Sequence, residues 1–507
     1  MEFFKWLKET FSHGKVRQAV EPKSSEKSPE EESEDSAQLK KSAENNHRPN
    51  RIQPTAKRPK PVTPRKAEKI TIWVGLDFGT SFTKAAYRIL GRNNLVYPLA
   101  MSEIPGMSYA LPSLIAFDKN NVLFGDEADA FLSDKPWSEG VRYLKILFAG
   151  DLDDEFKDKT LDSRFREYCN AKAPNDLLVT PGYLTAAYLA WVIRKIKTSL
   201  ERKFRGQKLQ LNFHVCLPID TIQKKAIKAE FQRALNVAVT IESQWDGKSG
   251  FELLQKAVYS WEGNPSLKDG DIAANLIPEA VAQMASYLTS LSVEKKIHGV
   301  IDLGAGTTDI SVFNLGEDDL LYWYNAVTEP GGMEKVESVV AGILGKDGRP
   351  VSYPGLQQTM AKIAHQSHEI KMAVKLQLEN IWENTRYSAW GLAYNKKRTE
   401  SEWKKDKVKV FVCGGGSGLP FVEEVFGRCW HDESWGPYEV VRLYAPSNFK
   451  GRPEDFSRLS VAYGLTFPRP ELAEYILPKD CPDHTPKFVH IDSERDGSWG
   501  AVYADNH

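Results

Sequence analysis

The sequence offers little of what would place it quickly. Its five cysteines, Cys169, Cys216, Cys413, Cys429 and Cys481, are odd in number and scattered. None forms a Cys-x-x-Cys pair, so neither a zinc knuckle nor a disulfide framework is expected, and a reducing compartment such as the cytoplasm is the simplest setting. No apolar run approaches the roughly 20 residues that a membrane span needs, and the first residues lack the continuous apolar stretch of a secretory signal. The formal net charge of -1 leaves no global basic field, so nucleic acid is not an expected partner. No Gly-x-x-x-x-Gly-Lys-Ser/Thr loop is present: Gly247-Lys248-Ser249 has Glu242 where the first glycine would stand, and reads as a plain loop.

What remains is a chain of 507 residues, 41% hydrophobic and 27% charged, enough for a large two-lobed globular domain. Residues 1–69 stand apart. They are acidic and serine-rich around Pro29-Glu30-Glu31-Glu32-Ser33-Glu34-Asp35, then basic and proline-rich up to Lys69. With few apolar groups to bury, this stretch is expected to be a disordered tether with an average reach of roughly 45 Å. At its start, Phe3, Phe4, Leu7 and Phe11 fall on one face at helical spacing, with Glu2, Lys5, Lys8 and Glu9 on the other. Residues 1–12 therefore read either as a frayed end or as an amphipathic helix that docks on a membrane or a partner groove.

Ordered sequence begins at Ile70. Ile70 to Leu76 and Thr83 to Leu90 read as paired strands, Tyr183 to Leu200 as a helix, and Asn212 to Leu217 as a strand stopped by Pro218. A long helix is expected over Gln357 to Trp382. The stretch from Glu242 to Asp271, with its glycines and tryptophans, reads as an insertion.

Two segments resemble each other. Val74-Gly-Leu-Asp77-Phe-Gly79-Thr80-Ser81-Phe-Thr83-Lys84 and Val300-Ile-Asp302-Leu-Gly304-Ala-Gly306-Thr307-Thr308-Asp309 each run from an apolar strand into Asp, a Gly/Thr/Ser turn and a second strand. Either alone reads as a structural hairpin. Together they suggest a duplicated α/β fold whose halves face one cleft. Glycine turns let backbone N–H groups approach an anion, and the hydroxyls add donors without bulk. Asp77 and Asp302, at the strand ends, are candidate magnesium-directed carboxylates. A third segment, a strand into Gly414-Gly415-Gly416-Ser417-Gly418, offers a glycine loop against which a nucleoside could lie.

In order and spacing, these three segments resemble the two phosphate motifs and the adenosine motif of the actin, sugar-kinase and heat-shock chaperone superfamily, over residues 70–468. The match is nearest to the ATPase domain of the seventy-kilodalton heat-shock chaperones. Leu111-Pro-Ser-Leu-Ile-Ala-Phe117, His214-Val-Cys-Leu-Pro218, Pro278 to Tyr287 and Ser460-Val-Ala-Tyr-Gly464 look like further landmarks of that domain. The last two resemble its connecting helices, whose small residues let them cross closely at the hinge. The resemblance implies an actin-like ATPase fold, with lobe I at about 70–295 and 455–468, lobe II at about 296–454, and a C-terminal extension at 469–507. It implies ATP or ADP with Mg2+ as ligands. Asp77, Gly79, Thr80, Ser81, Thr83 and Lys84 would bind on one side of the phosphates; Gly304, Gly306, Thr307, Thr308, Gly331 and Gly332 would bind on the other. Gly414, Gly415, Gly416 and Ser417 would bind at the nucleoside, with Glu369 and Lys371 as candidate contacts from a helix. Lys145, in Tyr143-Leu-Lys145, is the candidate catalytic lysine, with Asp302, Thr307 and Asp309 beside the attacking water.

The chain departs from the family in two places. Ile277 stands where the family carries a glutamate before the proline of the first connecting helix, and Glu279 is the candidate substitute. The stretch after Phe467 is too short for a chaperone substrate domain, so peptide binding by that route is not expected. The resulting expectation is a slow ATPase that acts on a protein partner through lobe closure. The alternatives are an actin-like filament protein at a membrane, a small-molecule kinase, or a nucleotide-gated scaffold without catalysis.

Overall fold

The computed structural model describes residues 69–133, 140–153, 177–263, 273–343 and 367–483. The expected tether and N-terminal helix lie outside them, as does Gln357 to Gln366 of the expected long helix. The described chain is mixed α/β. Strand β1 (Lys69–Phe78) is rich in β-branched and aromatic residues and buried on both faces. It pairs antiparallel with β2 (Phe82–Ile89), which pairs antiparallel with β3 (Val96–Pro98). On its other side β1 pairs parallel with β4 (Lys208–Leu217), and β4 with β5 (Ala273–Pro278).

The second sheet repeats this order. Strand β6 (Ile297–Leu303) pairs antiparallel with β7 (Thr307–Leu315), and β7 with β8 (Leu321–Pro330). On the other side β6 pairs parallel with β9 (Lys409–Cys413), and β9 with β10 (Glu439–Arg442). The order β3-β2-β1-β4-β5 thus matches β8-β7-β6-β9-β10 strand for strand and direction for direction. Each sheet adds a sixth strand: Leu111–Pro112 pairs with β2 in the first, and β11 (Tyr475–Ile476) lies parallel to β8 in the second. The segment after Phe467 is tied down: Arg88, buried in β2, pairs with Glu471 at 2.8 Å and lies over the Phe467 ring.

Helices cover the sheets. Helix α1 (Leu144–Leu152) follows a short edge strand. Helix α2 (Pro181–Lys203) starts where Thr180 caps the Tyr183 N–H and Pro181 takes a first-turn position that needs no donor. It packs on α3 (Lys225–Gln244) and α4 (Gly250–Glu262). The region read as an insertion is in fact core: Trp245, Leu253, Leu254, Ala257 and Trp261 are buried with α2 and α3, and its tryptophans are the packing surface. Helix α5 (Glu279–Gln283) leaves β5 directly. In the second half come α6 (Met333–Ile343) and α7 (His368–Thr385). The expected helix from Gln357 does not run through: Ser367 is extended and caps the Ile370 N–H with its hydroxyl, so α7 starts at His368.

Helix α8 (Phe456–Gly464) closes the fold by crossing α5. A Cβ on Gly464 would stand 1.8 Å from the Ala282 carbonyl oxygen, so only glycine allows this approach. Around the crossing, Ile277, Val281, Met284 and Leu459 share a core with Val300, Phe313, Trp323 and Phe411 of the second half. Each large side chain so buried contributes roughly 1.5–3 kcal/mol. Among the described residues no helix is long and apolar enough to cross a membrane.

Candidate functional site

The tips of both hairpins line one cavity of about 1160 Å³, counting its open mouth. The hairpins use the same register. In β1–β2, Asp77 lies opposite Lys84 and Phe78 opposite Thr83; in β6–β7, Asp302 lies opposite Asp309 and Leu303 opposite Thr308. Equivalent positions therefore hold an ion pair in one half and two carboxylates in the other. Lys84 Nζ donates to Asp77 Oδ2 at 2.5 Å. Asp302 accepts from Gln283 Nε2 of α5 at 2.5 Å, and Asp309 from the Thr328 hydroxyl of β8 at 2.5 Å.

Asp77, Gly79, Thr80, Ser81, Lys84, Lys145, Glu279, Asp302, Gly304, Thr307, Asp309, Gly414 and Gly415 all face this cavity. Thr83 and Thr308 do not. Strand alternation turns both inward, where Thr83 bonds Ser113 and Tyr188 and Thr308 donates to the Gly331 carbonyl. Gly331 and Gly332 lie behind the second turn, their N–H groups on the Gly306 carbonyl oxygen, and so support the turn. Gly306 lies at the tip, and a Cβ there would meet Thr80 Cγ2 at 2.7 Å. Gly416 and Ser417 are spent on holding the glycine loop, through the Leu303 and Gly414 carbonyls. Gly414, at φ +79°, is where the loop must be glycine: a Cβ would stand 2.2 Å from Asp302 Oδ1. Glu369 is exposed on α7, and neither it nor Lys371 reaches the cavity, as expected for a solvated helix face.

The two candidates around Pro278 separate cleanly. Ile277 pairs with Cys216 in the ladder and is buried among apolar side chains. Glu279 turns into the cavity and accepts from Lys145 Nζ at 2.6 Å. Sequence reasoning missed Gln283, Thr328, Met333, Ser457 and Arg458, all of which line the cavity. They come from four separate elements and carry no local pattern.

Four carboxylates, Asp77, Glu279, Asp302 and Asp309, face three cations, Lys84, Lys145 and Arg458. Burial, then the Glu279 charge, pushes both Asp302 and Asp309 up to about 7. Burial works against the charge on Lys145, but Glu279 first and Asp77 among its other neighbours hold it charged well above the ordinary range. Lys84 is likewise raised: burial lowers it, but Asp77 first, together with Asp302 and Glu279, more than offsets this. Ligand atoms of Asp77, Glu279 and Cys216 lie within 4.8 Å of one another. An oxygen-seeking divalent cation suits these carboxylate oxygens, and its charge would favour the ionised forms of Asp302 and Asp309. The Cys216 thiol does not suit such an ion as a ligand, because burial drives it well above its usual range and keeps it protonated. Its Sγ donates to Asp77 Oδ1 at 3.5 Å instead. No model of a known protein family matches this chain, and no curated protein gives a significant match.

Proposed function

We propose that this chain binds ATP with magnesium in the cavity, within an actin-like arrangement of two duplicated halves. Its motifs are nearest to the ATPase domain of the seventy-kilodalton heat-shock chaperones. The observation that carries this reading is the repeated strand order with both Asp-Gly-Thr hairpin tips on one cavity. A cavity at equivalent strand ends of a duplicated sheet suits a ligand gripped from both halves.

On this reading, the turn at Gly79 and Thr80 and the turn from Gly304 to Thr307 serve the phosphate oxygens from either side. Lys145 neutralises charge on the terminal phosphate, as phosphoryl transfer demands. Glu279 holds Lys145 and lends a carboxylate to the same spot. Asp309, poised near neutrality, takes the proton of an attacking water, and Gln283 fixes the orientation of Asp302. Asp77 and Asp302 would hold a magnesium ion, which supplies positive charge and ordered water to the phosphates. Gly414, Gly415 and Arg458 form the nucleoside end. Turnover is slow, and the output is a change of angle between the halves read by a protein partner. The same proposal places the protein in the cytoplasm, with residues 1–12 as its contact to a membrane or to that partner.

Calorimetry with ATP, with and without magnesium, tests the reading. Wild type should bind in a magnesium-dependent way, and Asp77→Asn and Asp302→Asn should each lose most of that dependence. Equal affinity in all three proteins would reject it.

A further inference from the structure

Glu334, the second residue of α6, is buried and belongs to the second half. Its carboxylate reaches two groups of the first half. Ser81 Oγ, from the β1–β2 turn, donates to Oε1 at 2.5 Å, and the Tyr143 hydroxyl donates to Oε2. Tyr143 stands at the root of α1: the N–H groups of Ile146 and Leu147 both donate to its carbonyl oxygen at 2.9 Å. Its backbone is left-handed, at φ 58° and ψ 34°, a region disfavoured for any residue with a side chain. Such a conformation persists only where the surroundings hold it. Lys145 is two residues further along the same turn.

We propose that Glu334 is a positioning residue that ties the placement of Lys145 to closure of the two halves. One carboxylate from the second half holds the tip of the first phosphate turn and the start of the lysine helix together. When the halves part, Glu334 gives up both hydrogen bonds, Tyr143 loses the one that anchors its hydroxyl, and Lys145 loses its register against Glu279. The hydroxyl proton of Ser81 is committed to Glu334, so Ser81 serves the latch in this conformation.

The proposal rests on reading the cavity as a phosphate site, and the experiment separates the two. Without nucleotide, hydrogen exchange of the amides in 143–152 is compared between wild type, Glu334→Gln, Glu334→Ala and Tyr143→Phe. Tyr143→Phe removes one hydroxyl and keeps the ring, so it should fold. Exchange should rise about 10-fold or more in Glu334→Ala and Tyr143→Phe, with partial rescue in Glu334→Gln, which keeps an acceptor. Wild-type protection in both Glu334→Ala and Tyr143→Phe would overturn the coupling. With ATP and magnesium, Glu334→Ala should slow single-turnover hydrolysis about 10²-fold while binding changes less. Combined with Lys145→Ala it should cost nothing further; additive losses would mark a merely structural role and overturn the proposal. A wild type that binds no ATP rejects the cavity's assignment, and exchange in 143–152 then decides the coupling alone.

Discussion

Replacing Glu279 by Gln removes one negative charge from the cavity at constant volume. Two consequences follow from what Glu279 touches. Lys145 loses the carboxylate 2.6 Å away, and with it the partner that fixes the ammonium group in the cavity. Asp302 and Asp309 lose the like charge that, after burial itself, does most to push them up to about 7. Two like charges roughly 5 Å apart at an effective dielectric constant near 20 repel by about 3 kcal/mol, or roughly two pH units, which sets the upper end of the effect. Water in the open cavity halves that, which leaves a fall on the order of one pH unit. The assay is single-turnover hydrolysis between pH 5 and 9. If Asp309 must be ionised to accept a proton, the wild-type rate climbs with pH through about 7. The variant should be slower by about 10²–10⁴-fold, with its climb displaced to lower pH. An unchanged rate with an unmoved pH profile would refute both the role given to Glu279 and the electrostatic account of the two aspartates.

Ile277→Glu tests the same corner from the other side: it places a carboxylate in an apolar cluster, should cost several kcal/mol in urea unfolding, and should not raise hydrolysis. A variant that is stable and faster would mean that position 277 can reach the reacting water. Asp302→Asn should raise thermal stability of the ligand-free protein at pH 8 by a few degrees. The folded chain keeps protons on Asp302 and Asp309 that the unfolded chain has lost between about pH 4 and 7, so stability from these groups falls as pH rises through about 7. Each pH unit of displacement is worth about 1.4 kcal/mol; differential scanning fluorimetry from pH 5 to 8 should show a flatter profile in the variant, and identical profiles would contradict the shift. Deleting residues 1–12 should abolish sedimentation with liposomes or capture of a partner while leaving ATP binding intact, and no change in either would reduce the segment to a frayed end.

The parts of the site that were legible in the sequence are those that a single hairpin brings together. Asp77, Gly79 and Thr80, and their counterparts Asp302, Gly304 and Thr307, sit within a few residues of one another, so chain connectivity alone puts them on one tip. Register was not legible: Thr83 and Thr308 carry the right chemistry one strand position too far, and alternation buries them. Glu279 was ambiguous because the strand β5 ends at Pro278, and a proline can pass the next residue to either side. Glu334, Tyr143, Gln283 and Arg458 could not be found at all. Each is ordinary in its own element and gains a role only from what the fold places opposite it. For the stretch from Glu242 to Asp271, read as an insertion, composition could not show that Trp245 and Trp261 are part of the core.

The two-residue strand β11 has a further consequence, which concerns solubility. The duplicated sheets end differently on their hairpin sides. In the first half the outermost strand, β3, is three residues long and finishes in Pro98, a residue with no N–H to offer. In the second half the corresponding strand, β8, runs for ten residues, and its first two are paired by Tyr475 and Ile476. An exposed edge is a template for another chain. The segment beyond α8 therefore covers the first two residues of the longer strand, and a protein cut back to the last residue of α8 would lose that cover as well as the Glu471 and Phe467 partners of Arg88.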